Sequence, residues 1–241
     1  MGRTLAFLAD RVDEQSLPAV VVAHEALGAH LIRLVLFAPE LDTVTTEPCD
    51  VTAFRVSRTD FRHYTPARID RAARELTIIV HRHGSGPGEE LIASWSVGSE
   101  VKVCRWSSTR SFRWEADSLA PVVVLGDSTV ISLAMAVTDR AAADGRSALA
   151  VLEVDAGDVE ATRELVPGSV VVAAGEQPGV ALDGWLAAHP DVITSLDTPV
   201  VYLAGHGQSI QRQRAFLRGT CGVDRRQIKT QPYWATGKSG L

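Results

Sequence analysis

The 241-residue chain is 46% hydrophobic and 22% charged, with a formal net charge of -5, which supplies core for one large domain or two compact ones. An acidic balance without a basic stripe excludes phosphate-backbone binding as a main task, so no nucleic-acid partner is expected. No apolar run nears the roughly 20 residues that cross a bilayer, and MGRTLAFLADRVDEQ at the start meets acidic residues too early for a signal-peptide core, so a cytoplasmic protein without membrane insertion is expected.

In chain order, the first half is a succession of short β-runs. LPAVVVAH (17–24) and AHLIRLVLFA (29–38) are rich in β-branched residues and separated by Gly28, as in a hairpin. DVTAFRVSR, FRHYTPARID, RELTIIVHRH and GSEVKVCRW follow, several of them alternating apolar with polar residues. Six short strands with few helices between them predict a six-stranded antiparallel β-barrel, which leaves no exposed edge. PGEELIASW (87–95) interrupts them as a short helix that starts with proline and acidic residues.

The rhythm changes at a boundary expected near residues 107–120. APVVVLGD (120–127) is a continuous apolar strand, the kind buried on both faces of a parallel sheet. A helix over 128–143 follows, then strand RSALAVLEVD, a helix around VEATREL and strand SVVVAAG. Helix VALDGWLAAH, strand PVVYLAG and the amphipathic helix QSIQRQRAFLRG complete the pattern. Such alternation predicts right-handed βαβ units and an open parallel α/β sheet. The expected division is a β-barrel domain over 1–115 and an α/β domain over 116–241.

Three stretches carry candidate chemistry. In RHYT, strand alternation turns Arg62 and Tyr64 one way and His63 and Thr65 the other. An aromatic face, a hydroxyl and a cation suit a flavin ring, its N5 and its pyrophosphate; a barrel tyrosine beside a surface arginine is the plainer reading. In HGSGPGEE (83–90), glycines admit close backbone approach and a helix start offers free N–H groups to an anion; a simple turn is the alternative. LGDST (125–129) and YLAGHG (202–207) close two α/β strands where ligands of open sheets bind. His81 and His83 lie two apart on one predicted strand and face the same side, but no third metal ligand is placed. Cys49, Cys104 and Cys221 are scattered without metal or cluster spacing, so no metal is expected and electron transfer would need an organic cofactor.

RHYTPAR, HRHGSGPG, LGDSTVISLA, LEVDAGD, YLAGHGQS and PYWATG, in this order over nearly the whole chain, resemble the siderophore-interacting protein family of ferredoxin-reductase-like flavoproteins. The resemblance implies FAD on the barrel, hydride from NADH or NADPH, and electrons passed to a ferric siderophore or other ferric chelate. It implies cofactor contacts at Arg62, Tyr64, Thr65, His81, His83, Gly86, Pro87 and Gly88 on the flavin side, with Tyr64 and Thr65 nearest the chemistry. Gly126, Asp127, Ser128, Thr129 and Gly205 would border the nicotinamide, and a C-terminal segment with Tyr233 and Trp234 would return to the flavin. Lys238, Arg110 and Arg113 are the cations expected to meet an anionic ferric chelate. Glu153 and Asp155, ending the second α/β strand, lean towards NADH through the ribose hydroxyls, unless Arg146 or Arg163 reverses it. The sequence departs from the family at Ser128 and His206, where glutamate is usual, at Ala235 in place of arginine, and at Gly88-Glu89 after Gly-Pro. Two alternatives stay open: a general NAD(P)H:flavin or electron-carrier reductase, and a flavin- or siderophore-binding module without turnover.

Overall fold

The computed structural model describes residues 2–84, 86–109 and 111–238. The chain divides into two compact units, Met1–Ser108 and Thr109–Leu241.

The first unit opens with helix α1 (Gly2–Glu14), which sequence patterning did not predict. It is followed by β1 (Leu17–Ala26), β2 (Leu31–Phe37), β3 (Val51–Arg55), β4 (Phe61–Tyr64), β5 (Arg68–Asp70), β6 (Glu75–His81), α2 (Pro87–Ala93) and β7 (Glu100–Ser107). Ala6 and Ala9 of α1 are buried, while its Asp10 and Asp13 pair with Arg55 and Lys102, each at 2.7 Å. The seven strands form one antiparallel sheet in the order β4-β3-β7-β1-β2-β6-β5. Seven replace the expected six because FRHYTPARID is two strands. Pro66 has no N–H for a ladder, so the chain leaves β4 after Tyr64 and resumes as β5 at Arg68.

Those two strands lie at opposite ends of the sheet order, yet only residues 65–67 join them. A link of that length spans at most about 14 Å, so the sheet must curl until its ends approach. No β4–β5 ladder forms among the described residues, which makes the unit a curled half-barrel rather than a closed barrel. Alternate strand residues, among them Val21, Leu34, Leu36, Leu76 and Ile78, fill its core together with Phe54 and Ile92 of α2.

The second unit comprises β8 (Val122–Asp127), α3 (Ile131–Ala143), β9 (Ala148–Val154), α4 (Val159–Leu165), β10 (Val170–Ala173), α5 (Val180–Ala188), α6 (Pro190–Thr194), β11 (Val200–His206), α7 (Gly207–Gly219) and β12 (Ile228–Trp234). The strands form a parallel sheet in the order β10-β9-β8-β11-β12. Residues Val122 to Leu125 of β8 are wholly buried, as their unbroken apolar run requires. The fifth strand, IKTQPYW, has no strand-like pattern of its own. It is an edge strand, where Pro232 costs no ladder bond on the solvent side. From central β8 the chain builds outwards to β10, then returns to the other side with β11 and β12. The topological switch point therefore lies between the carboxyl ends of β8 and β11.

The segment before β8 is anchored on this sheet. Trp114 stacks on Tyr202 at 6.0 Å, and the Arg146 guanidinium lies 4.6 Å from the Trp114 ring centre. No described helix is long and apolar enough to cross a membrane.

Candidate functional site

In the first unit, β4 carries Arg62 and Tyr64 on one face, both half-buried. The Tyr64 ring packs 5.4 Å from that of Phe54. Gly88, the second residue of α2, meets them from the other stretch. A Cβ built on Gly88 would stand 2.7 Å from the Tyr64 hydroxyl and 3.1 Å from Arg62 Cγ. The RHYT and HGSGPG stretches are thus brought together at a point where no side chain fits. Burial lifts the Tyr64 phenol to about 12, with Arg62 opposing and Glu89 adding to the rise. The phenol accordingly keeps its proton at neutral pH and can donate a hydrogen bond. Thr65 is buried just beyond the end of β4.

The glycine-rich loop departs from expectation in two ways. His81 ends β6, whereas His83 lies beyond it in the loop, so strand alternation does not set the two on one face. The loop donors are also already engaged. Glu89 Oε2 accepts the backbone N–H of His83 at 3.1 Å and of Gly84 at 2.9 Å, and lies 3.7 Å from His83 Nδ1. Gly86, at φ +134°, and Pro87 then turn the chain into α2. In the sequence Glu89 stands out as an acidic residue of a helix first turn and as a departure from the family pattern, but neither signal identifies the loop amides as its partners.

In the second unit the switch point is organised by Asp127. Its Oδ1 accepts Thr129 N–H at 3.0 Å. Its Oδ2 accepts His206 N–H and the Trp234 indole N–H, both at 2.8 Å. Gly205, at φ +102°, makes room for this carboxylate, since a Cβ there would lie 2.5 Å from Asp127 Oδ2. Gly126 permits the matching approach of β8 to β11, with Ala204 O only 2.7 Å from a built Cβ. Ser128 is buried within the short 3₁₀ turn before α3. The His206 ring lies 4.4 Å from Trp234. Ser209 Oγ donates to Pro178 O at 2.8 Å, which leaves its lone pair for His206 Nδ1–H at 2.7 Å. The Thr236 hydroxyl can then donate to Nε2 at 3.0 Å. This pattern requires a neutral imidazole, and burial indeed lowers the His206 pKa, with Asp127 opposing.

Several expected residues are placed elsewhere. Glu153 is not available to ribose hydroxyls. It is buried, and its two oxygens accept Gly179 N–H at 2.7 Å and Leu182 N–H at 2.8 Å, capping the start of α5. Arg146 is buried at the start of β9, opposite its carboxyl end, and donates to Ala120 O and Glu115 O. Arg163 pairs with Glu160 on exposed α4. Lys238 is exposed beyond β12. Arg113 is exposed too, but its carbonyl is held by the Tyr202 hydroxyl, about 13 Å of strand before the carboxyl end of β11. The structure does not bring the two together, and Arg110 lies outside the described residues. Tyr233 is half-buried on β12. Cys49, Cys104 and Cys221 are buried free thiols whose pKa values burial raises.

Residues 119–237 match the family model of siderophore-interacting proteins. The C-terminal unit carries a siderophore-interacting protein domain. Solved structures similar to the chain include the siderophore-interacting protein of Acinetobacter baumannii, at 16% identity and a TM-score of 0.75 over 93% of this chain and 91% of that one. The siderophore-interacting protein SipS of Aeromonas hydrophila is 21% identical, with a TM-score of 0.68 over 93% and 94%. The ferredoxin-NADP+ reductase of Plasmodium falciparum shares only 10% identity but gives a TM-score of 0.71 over 91% and 97%. At these identities the likeness is one of fold, and the fold is ferredoxin-reductase-like. No curated protein matches the chain in sequence. The siderophore-interacting domain begins just before β8 and ends beyond β12, so Asp127, Gly205 and Trp234 all fall inside it.

Proposed function

We propose that this chain is an FAD-dependent reductase that draws on NADH or NADPH and reduces a ferric siderophore so that its iron is released. The observation that carries the reading is the meeting of Arg62, Tyr64 and Gly88 in a curled β unit, on one chain with a siderophore-interacting domain. Flavin, when bound, supplies the exchange between two-electron hydride chemistry and one-electron transfer to iron.

The residues present suit such a cofactor. Tyr64 offers a flat ring held by Phe54 and a protonated hydroxyl. Thr65 offers a second hydroxyl beside it, and Arg62 a cation for a phosphate. The absent side chain at Gly88 lets the start of α2 pack directly against both. In the second unit, Asp127 ties Thr129, His206 and Trp234 into one rigid edge at the switch point. A nicotinamide nucleotide bound there would be positioned against fixed groups, which is the main service a protein gives to hydride transfer. Iron(II) binds oxygen-rich chelators far more weakly than iron(III), so reduction suffices to free the metal. Lys238 is the described cation best suited to draw in an anionic ferric chelate.

The test is an absorbance spectrum of the purified protein, repeated anaerobically with NADH and then NADPH, followed by a ferric chelate and a coloured ferrous trap. Flavin bands that bleach with one nucleotide and return as ferrous iron appears are the expected result. Bands that persist with both nucleotides would leave a binding module. Failure to bind any flavin would overturn the reading.

A further inference from the structure

We infer that Arg218, Arg225 and Arg226 form a binding site for a compact, free phosphoanion of at least two negative charges, at the end of the second unit opposite its switch point. The site is separate from the flavin and nicotinamide reading above and stands or falls without it.

Charge is concentrated here in the sequence. From Arg212 to Lys229, six cations stand against one carboxylate, Asp224, in a chain whose net charge is -5. Two of the six are neutralised within the fold: Arg212 pairs with Asp183 at 2.7 Å and Lys229 with Glu115 at 2.5 Å. Arg218, Arg225 and Arg226 are exposed, and among the described residues no carboxylate forms an ion pair with any of them.

Folding turns this local excess into a site. The three arginines line one open groove of about 710 Å³, within the size range of small-molecule pockets. Arg218 comes from the last turn of α7, and Arg225 and Arg226 from the loop that leads into β12. The loop is fixed from beneath, since Cys221, Val223 and Ile228 are buried in the core and Val223 N–H donates to Leu217 O at 3.0 Å. No long side chain fills the α7 side of the groove, where Ala215 and Gly219 line it. Asp224 also lines it and opposes an anion, but one of its oxygens accepts Arg226 N–H at 2.7 Å, and three cations outweigh it. The helix dipole accounts for an arginine in the last turn of α7. It does not account for Arg225 and Arg226, which lie beyond the helix and add like charge to the same groove.

Guanidinium groups take phosphate oxygens through paired N–H donors, which a flexible ammonium does not. Several in one concavity favour an anion of more than one charge. Seven residues line the groove, against the roughly 20–30 that each partner gives to a stable protein interface, so a compact ligand suits it better than an acidic protein. The groove is not the nucleotide edge. Ile228, at the start of β12, pairs with Val201, and His206 at the carboxyl end of β11 lies about 16 Å of strand further on.

The experiment is isothermal titration of the purified full chain with pyrophosphate at constant ionic strength, with citrate and oligoglutamate as comparison anions. It is repeated in Arg218→Gln and in the double variant Arg225→Gln/Arg226→Gln, and circular dichroism establishes that each is folded. The expected result is saturable pyrophosphate binding by the natural protein, weakened at least roughly tenfold in both variants, the scale of one charge-assisted hydrogen bond. No binding by the natural protein would overturn the inference. Binding that neither variant weakens would also overturn it, because the pyrophosphate would then sit elsewhere, as at a nucleotide site. Citrate or oligoglutamate binding as tightly as pyrophosphate would refute the choice of a phosphoanion. None of these outcomes bears on the flavin reading, which is judged by the flavin spectrum.

Discussion

Gly205→Ala is expected to damage the second unit through one carboxylate. The substitution has two costs. The backbone at φ +102° is unfavourable for a residue with a Cβ, at about 1–3 kcal/mol. The new methyl would also lie 2.5 Å from Asp127 Oδ2, the atom that accepts both His206 N–H and the Trp234 indole N–H. Asp127 must shift, and forfeiting even one of these charged hydrogen bonds costs about 1.5–3 kcal/mol. The sum is about 2.5–6 kcal/mol, a large part of the stability of a typical domain. Urea unfolding, read by hydrogen exchange of peptides from β8 and β11, isolates this unit from the first. Asp127→Ala supplies the control, because it removes the group that the methyl strikes. In that background Gly205→Ala should cost only the backbone part, about 1–3 kcal/mol. A cost below about 1 kcal/mol in the natural background, or equal costs in both, would refute the reasoning.

Other perturbations test separate parts of the structure. Gly88→Ala would press a methyl onto the Tyr64 hydroxyl and Arg62; it should weaken flavin binding by roughly tenfold or more, an overpacking penalty of about 1–3 kcal/mol, measured by fluorescence quenching. Glu153→Gln keeps one acceptor but turns an NH₂ towards the N–H of Gly179 or Leu182, and urea unfolding should show a loss of about 1–3 kcal/mol. The Tyr64 pKa is raised by folding to about 12. Its contribution is complete below the unfolded value of about 10 and is lost as pH rises through 12, so alkaline melts of Tyr64→Phe should show less destabilisation than the natural chain. His206 has the opposite sign. Burial depresses its pKa, so its contribution is present above about 6.5 and falls away in acid. Thermal melts between pH 7 and 5 should lose less stability in His206→Asn than in the natural protein.

The sequence alone determined the two-part architecture, because strand and helix periodicities are local properties of the chain. Alternation in GSEVKVCRW and the unbroken apolar run of APVVVLGD distinguish a one-sided antiparallel sheet from a parallel sheet buried on both faces. It also named Arg62, Tyr64, Gly88, Asp127 and Gly205, although not the contacts that unite them. IKTQPYW could not be read as a strand, since an edge position beside β11 relaxes the demand for apolar residues. The choice of partner for each carboxylate lay beyond the sequence. Glu89 turns to the loop amides, Glu153 to the start of α5, and Asp127 to Trp234, 107 residues away. A carboxylate finds its donors in space, and only the folded chain decides which backbone N–H groups lack other partners. The family pattern drew attention to the loops where a nucleotide would bind. Tertiary structure filled the donors at Glu89 and Asp127 with the chain's own anions.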